Sequence, residues 1–123
     1  VEKKQILIAE DDGKNIKLLR DILNASGYGT IEAYDGKEAV ELAKLKKPDL
    51  ILMDIQMPVM NGLEATKIIK ADPATRHIPI FALTAFAMSG DRERFLQAGC
   101  DDYISKPYNI SELMGKVKKI LGE

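Results

Sequence analysis

The sequence predicts an α/β domain, a doubly wound parallel sheet with helices on both faces. Short apolar runs alternate with amphipathic segments five times along the chain, as repeated strand–crossover–strand units do. The runs at 50–53 and 80–83 contain no polar residue, which suits strands buried on both faces. Polar residues able to carry chemistry then follow these runs directly: Asp11 and Asp12, Asp54, Thr84 and Lys106. In open sheets of this kind, ligands bind outside the carboxyl ends of the strands. The residues should therefore converge on one edge.

The first strand spans Gln5 to Ala9 and ends at Glu10-Asp11-Asp12. Ile16, Leu19, Ile22 and Leu23 recur at helical spacing, and Gly27 supplies a C-terminal stop. Gly29 to Ala33 forms a short second strand. Asp35 and Glu38 make a capping box for a helix with Ala39, Val40 and Ala43 on one face. The third strand, Leu50 to Asp54, lies between Pro48 and Pro58. Asn61 and Glu64 cap a helix carrying Leu63, Ile68 and Ile69, which ends at Asp72-Pro73. Pro79 to Thr84 is the fourth strand, and Ser89 caps a short helix that stops at Gly99. Asp101 to Ser105 is the fifth and most polar strand, closed by Lys106-Pro107. Ile110, Leu113, Met114, Val117 and Leu121 place an apolar stripe on the last helix.

Composition removes several functional classes. The 123 residues fit one domain, 1–123, able to bury a core without disulfides or zinc. A net charge of −1 gives no electrostatic reason to expect direct nucleic-acid binding. No apolar run approaches the roughly 20 residues of a membrane span, and the N-terminus lacks a signal-peptide core. The single cysteine, Cys100, cannot form an intrachain disulfide, so a reducing, cytoplasmic setting is expected. Its expected state is a small, half-buried side chain. His77, the only histidine, sits in a polar connection and cannot by itself make a zinc site.

Asp54 carries the functional argument. A carboxylate at the end of a buried strand costs stability unless a metal, a lysine or hydrogen-bond donors meet it. Three carboxylates in one cleft also repel, by about 4 kcal/mol per pair at 4 Å and an effective dielectric near 20. An oxygen-only acidic pocket favours a hard divalent cation, and Mg²⁺ needs only one or two carboxylates plus water and phosphate oxygens. With the Lys106 ammonium and the Thr84 hydroxyl, such a site suits a phosphoryl group, Asp54 lying in line for attack.

The motifs Ile-Ala-Glu-Asp-Asp (8–12), Leu-Met-Asp-Ile-Gln-Met-Pro (52–58) with Gly62, Ala-Leu-Thr-Ala (82–85) and Tyr-Ile-Ser-Lys-Pro (103–107) stand in that order across the chain. In them the chain resembles a response-regulator receiver domain of two-component phosphorelays. The resemblance implies a flavodoxin-like (βα)5 three-layer sandwich with strand order 2-1-3-4-5. It implies that Asp54 accepts a phosphoryl group from a sensor histidine kinase or a histidine phosphotransfer protein. Mg²⁺, or Mn²⁺ in its place, would be held by Asp12 directly, by Asp11 mainly through water, by Asp54 and by the Gln56 backbone carbonyl. Lys106 would pair with the phosphoryl group and precede a cis bond to Pro107, while Thr84 and Tyr103 would act as the switch.

Phosphorylation would then alter the face made by the fourth helix, fifth strand and fifth helix, for docking to a downstream protein. The state would be reset by hydrolysis of the aspartyl phosphate, with no reaction on an outside substrate. Gln56 and Phe86 occupy the positions that tune the phosphoryl lifetime. A stand-alone receiver, monomeric or weakly dimeric, or one belonging to a hybrid kinase, is expected, with no effector domain read in these 123 residues. A haloacid-dehalogenase-like phosphatase would want an acid where Gln56 stands, and a nucleotide or flavin binder would want a phosphate-cradling glycine loop that is absent. An interaction module of this fold that works without phosphorylation stays open.

Overall fold

In the computed structural model, residues 3–85 and 91–122 are described. Strand and helix alternate as β1 (Gln5–Ala9), α1 (Gly13–Ala25), β2 (Gly29–Ala33), α2 (Gly36–Lys46), β3 (Leu50–Asp54), α3 (Gly62–Ala71), β4 (Ile80–Thr84), α4 (Asp91–Ala98), β5 (Asp102–Ser105) and α5 (Ile110–Ile120). The five strands are all parallel and lie in the order β2-β1-β3-β4-β5. This is the flavodoxin-like architecture that the resemblance implied. The expected cap Ser89, and Phe86, lie outside the described residues.

Alternation along the strands divides the core. Ile6 and Ile8, Leu50 and Leu52, Phe81 and Leu83, and Ile104 face one side of the sheet, where α1 and α5 cover them with Ile16, Leu19, Leu23, Leu113 and Val117. Leu7, Ile51, Met53, Ile80 and Ala82 face the other side, under Ala39 and Ala43 of α2, Ala65 and Ile69 of α3, and Phe95 of α4. The central strands β3 and β4 are buried along their whole length. That is why they read as unbroken apolar runs.

Two helices start at the caps read from the sequence, Asp35 and Asn61, and α5 starts at a third cap, Asn109, that the sequence reading did not name. Asp35 Oδ1 accepts from Glu38 N–H at 2.7 Å, Asn61 Oδ1 from Glu64 N–H at 2.9 Å, and Asn109 Oδ1 from Glu112 N–H at 3.0 Å. Two stripe residues differ from expectation. Ile68 is exposed because Gly62, Ala65, Thr66 and Ile69, at i, i+3, i+4 and i+7, form the inward stripe of α3, and Ile68 at i+6 falls to the side of it. Ile110 is exposed as the first residue of α5, one turn before the buried residues Leu113, Met114 and Val117. Cys100 is more fully buried than expected, and His77 is exposed as expected.

Candidate functional site

Register and strand parity build the site. β1 and β3 pair with Ile8 opposite Leu52 and Ala9 opposite Met53. One residue further, Glu10 and Asp54 come side by side, each continuing the row that faces α1 and α5. Glu10 N–H donates to Ala33 O at 3.0 Å, so the chain is still held to the sheet edge at that point. β4 and β5 pair with Thr84 opposite Ser105, and Lys106 N–H donates to Thr84 O at 2.7 Å. Lys106 thereby takes the parity of Ile104 and reaches the same face as the two carboxylates. Its bond to Pro107 is cis, as expected.

The side chains then close on one another. Lys106 Nζ lies 3.1 Å from Asp54 Oδ2 and 3.2 Å from Glu10 Oε2. Asp54 Oδ1 accepts from Gln56 N–H at 3.1 Å, so both oxygens of Asp54 are engaged. Among the described residues, Glu10, Asp11 and Asp54 bring carboxylate oxygens within 4.8 Å of one another. Asp11 is the exposed member, while Glu10 and Asp54 are 1% and 3% exposed. Burial, with Asp54 beside it, pushes the Glu10 carboxyl above its ordinary range. Burial works against the Lys106 charge, but Asp54 and Glu10 outweigh it and hold the ammonium above its usual value.

Two residues depart from the sequence reading. Asp12 is not brought into the cluster; its side chain caps α1, Oδ1 accepting from Lys14 N–H at 2.9 Å. Glu10 stands in the place assigned to an aspartate. The signal was present in the sequence, because Ile6-x-Ile8-x-Glu10 and Leu50-x-Leu52-x-Asp54 share one alternation. Tyr108 was also missed. Its hydroxyl donates to Glu10 Oε2 at 3.4 Å while its ring packs on the core beneath α1 and α5. Burial, and then the nearby carboxylates Glu10 and Asp54, push its phenol well above the ordinary value, so it remains a donor.

Thr84 is buried and lines an open cleft of about 530 Å³, together with Asp11, Gln56, Asn61, Arg94 and Phe95. Tyr103 is half-buried on the same face of the sheet, in register with Ala82, two residues before Thr84. Its ring centroid lies 6.2 Å from that of Phe95, and Lys116 Nζ stands 5.4 Å from its centroid. Gly62 closes the floor of the loop after β3. A Cβ there would meet Asp54 O at 2.0 Å, so only glycine lets α3 start this close to the strand end.

The groups around Asp54 are carboxylate oxygens, one ammonium and one backbone N–H, a set suited to a hard divalent cation and a phosphoryl group. Comparison with known proteins agrees with that chemistry. The family model described as the response regulator receiver domain matches residues 6–118. The polar-differentiation response regulators DivK of Brucella anthropi and Brucella ovis are each 52% identical over 120 residues, covering 98% of this chain and 98% of theirs. The receiver domain of sensor histidine kinase PA1611 from Pseudomonas aeruginosa PAO1, solved with a magnesium ion coordinated in its active-site cleft, superposes with a TM-score of 0.91. It is 39% identical, over 99% of this chain and 100% of that one. Vibrio cholerae chemotaxis protein CheY4 superposes with a TM-score of 0.91 at 25% identity, over 97% of this chain and 99% of that one. With the sheet order, the Lys106-bridged carboxylates and these matches together, the chain belongs to the response regulator receiver domains of two-component signalling.

Proposed function

We propose that this receiver accepts a phosphoryl group on Asp54 from the phosphohistidine of a sensor histidine kinase or a histidine phosphotransfer protein, and that the change alters its docking to a downstream protein. The observation that carries this reading is the Lys106 ammonium held between Asp54 and Glu10, with Asp11 beside them. Glu10, Asp11, Asp54 and the Gln56 carbonyl are the groups that would hold Mg²⁺, which the PA1611 receiver binds in its cleft. When bound, the cation neutralises charge on the phosphoryl oxygens. The chain's own residues do the rest. An Asp54 oxygen forms the new O–P bond as the P–N bond of the donor breaks, and the imidazole leaves carrying the electron pair. Lys106 is placed to follow the negative charge from the carboxylate to the phosphoryl group, and Thr84 offers a hydroxyl from β4.

Phosphorylation adds charge and acceptor oxygens at the strand ends. Thr84 and Tyr103 lie on one sheet face, so movement at Thr84 is read out through Tyr103 to α4, β5 and α5. A tenfold shift between two states needs about 1.4 kcal/mol of differential interaction, within reach of one charge-assisted hydrogen bond. The protein acts as a switch, reset by hydrolysis of its own acyl phosphate, with no outside substrate to turn over. Among the described residues no helix is long and apolar enough to cross a membrane. We assign the switch to the cytoplasm, as a monomer or weak homodimer. The identity to DivK supports a role in polar differentiation, the process named for those relatives.

Intact-mass spectrometry after incubation with acetyl phosphate tests the reading. Wild type should gain one phosphoryl group only with Mg²⁺, and Asp54→Asn should gain none. Mg²⁺ binding without any phosphoryl gain, and without a beryllofluoride complex, would point to an interaction module that works unphosphorylated.

A further inference from the structure

We propose that Tyr108 is a positioning residue of this site, its phenol holding Glu10 toward the cation when Lys106 turns to the phosphoryl group. The inference rests on the proposed phosphoryl acceptance at Asp54 and extends it to a residue outside the four matching motifs. Glu10 Oε2 has two donors, Lys106 Nζ at 3.2 Å and the Tyr108 hydroxyl at 3.4 Å. Lys106 is shared, since it also serves Asp54 at 3.1 Å. A phosphoryl dianion on Asp54 draws the ammonium toward itself and leaves Glu10 with less of it.

Tyr108, by contrast, donates its hydroxyl to Glu10 and not to Asp54 in this structure. Its ring is fixed by packing on the core under α1 and α5, and the next residue, Asn109, is anchored as the N-cap of α5. The hydroxyl is thus delivered to Glu10 by the scaffold rather than by a mobile side chain. Glu10 is 1% exposed, so water does not readily replace a lost donor there. A donor held in advance keeps the carboxylate beside Asp11 and Asp54, the geometry that a divalent cation requires.

Tyr108→Phe keeps the ring and removes only the hydroxyl. Calorimetric or NMR titration with Mg²⁺ alone should show roughly three- to tenfold weaker binding than wild type, the scale of one ordinary net hydrogen bond, as suits a contact of 3.4 Å. Thermal unfolding checks that both proteins are folded during the titration. Glu10→Gln should itself weaken Mg²⁺, and adding Tyr108→Phe to it should change nothing further, because the phenol acts through Glu10. Equal affinity of wild type and Tyr108→Phe overturns the proposal. So does a loss that simply adds to that of Glu10→Gln, which would assign the effect to packing, or an absence of Mg²⁺ binding by wild type. Phosphoryl gain from acetyl phosphate is scored on the same samples. A wild type that binds Mg²⁺ yet takes no phosphoryl group sinks the acceptor reading, while the titration still decides the role of Tyr108.

Discussion

Lys106→Met replaces the ammonium between two buried carboxylates with an uncharged side chain of similar length. In the native protein Nζ lies 3.1 Å from Asp54 and 3.2 Å from Glu10, and Lys106 itself is 22% exposed on its side chain. Removing one partner from a buried ionic group costs about 3–5 kcal/mol, and the partial exposure of Lys106 favours the lower end. The two carboxylates left behind offer oxygens within 4.8 Å of each other. At that separation their repulsion is about 3.5 kcal/mol for an effective dielectric near 20. Glu10, whose carboxyl burial and then Asp54 already push up, will therefore hold its proton to still higher pH once Lys106 is gone.

A carboxyl whose folded pKa is raised contributes stability that is fully present below its unfolded pKa and lost as pH rises through the folded value. The deficit of Lys106→Met against wild type should thus be about 3 kcal/mol near pH 8 and much smaller near pH 5. Urea unfolding at both pH values without divalent cation reads this directly. A deficit equal at the two pH values would refute the reasoning, because it would mean that lost packing, rather than uncompensated charge, accounts for the effect.

Asp11 and Asp12 should separate cleanly. Asp11→Asn is expected to weaken Mg²⁺ binding at least tenfold, whereas Asp12→Ala should cost about 1 kcal/mol of stability through the lost α1 cap and leave Mg²⁺ affinity nearly unchanged. Calorimetry and denaturation of the same two variants decide this, and the reverse pattern would return Asp12 to the metal set. Gly62→Ala should destabilise by more than about 2 kcal/mol and disturb Asp54 signals in NMR spectra, since its Cβ would sit 2.0 Å from Asp54 O. A variant of wild-type stability would show that the loop yields easily. Burial pushes the Cys100 thiol up to about 11, so alkylation at pH 8 should be slow in the native protein and fast in denaturant. Rapid native labelling would contradict the packing around it.

The legible parts of the sequence are those where local chemistry and burial point the same way. β3 and β4 stand out because a strand covered on both faces has no reason to carry polar residues, and Asp35 and Asn61 cap helices because orphan N–H groups need acceptors. Ile68 and Ile110 misled because apolar character shows what a residue tolerates and not which way the helix has turned by that position.

At the site, the sequence by itself determined that Asp54, Thr84 and Lys106 would meet at one sheet edge, because each follows a strand of a parallel sheet. Three consecutive acids, Glu10, Asp11 and Asp12, left two readings: the motif put Asp11 and Asp12 in the metal set, whereas the alternation of the first strand points to Glu10. Tertiary structure made that choice. Pairing in register carries β1 beside β3 so that Glu10 inherits the parity of Asp54, while the turn into α1 sends the Asp12 side chain back to its own helix. Tyr108 depended on more distant geometry still: its hydroxyl meets Glu10 across 98 residues of sequence, a contact that exists only once the sheet has brought the first and last strand ends together.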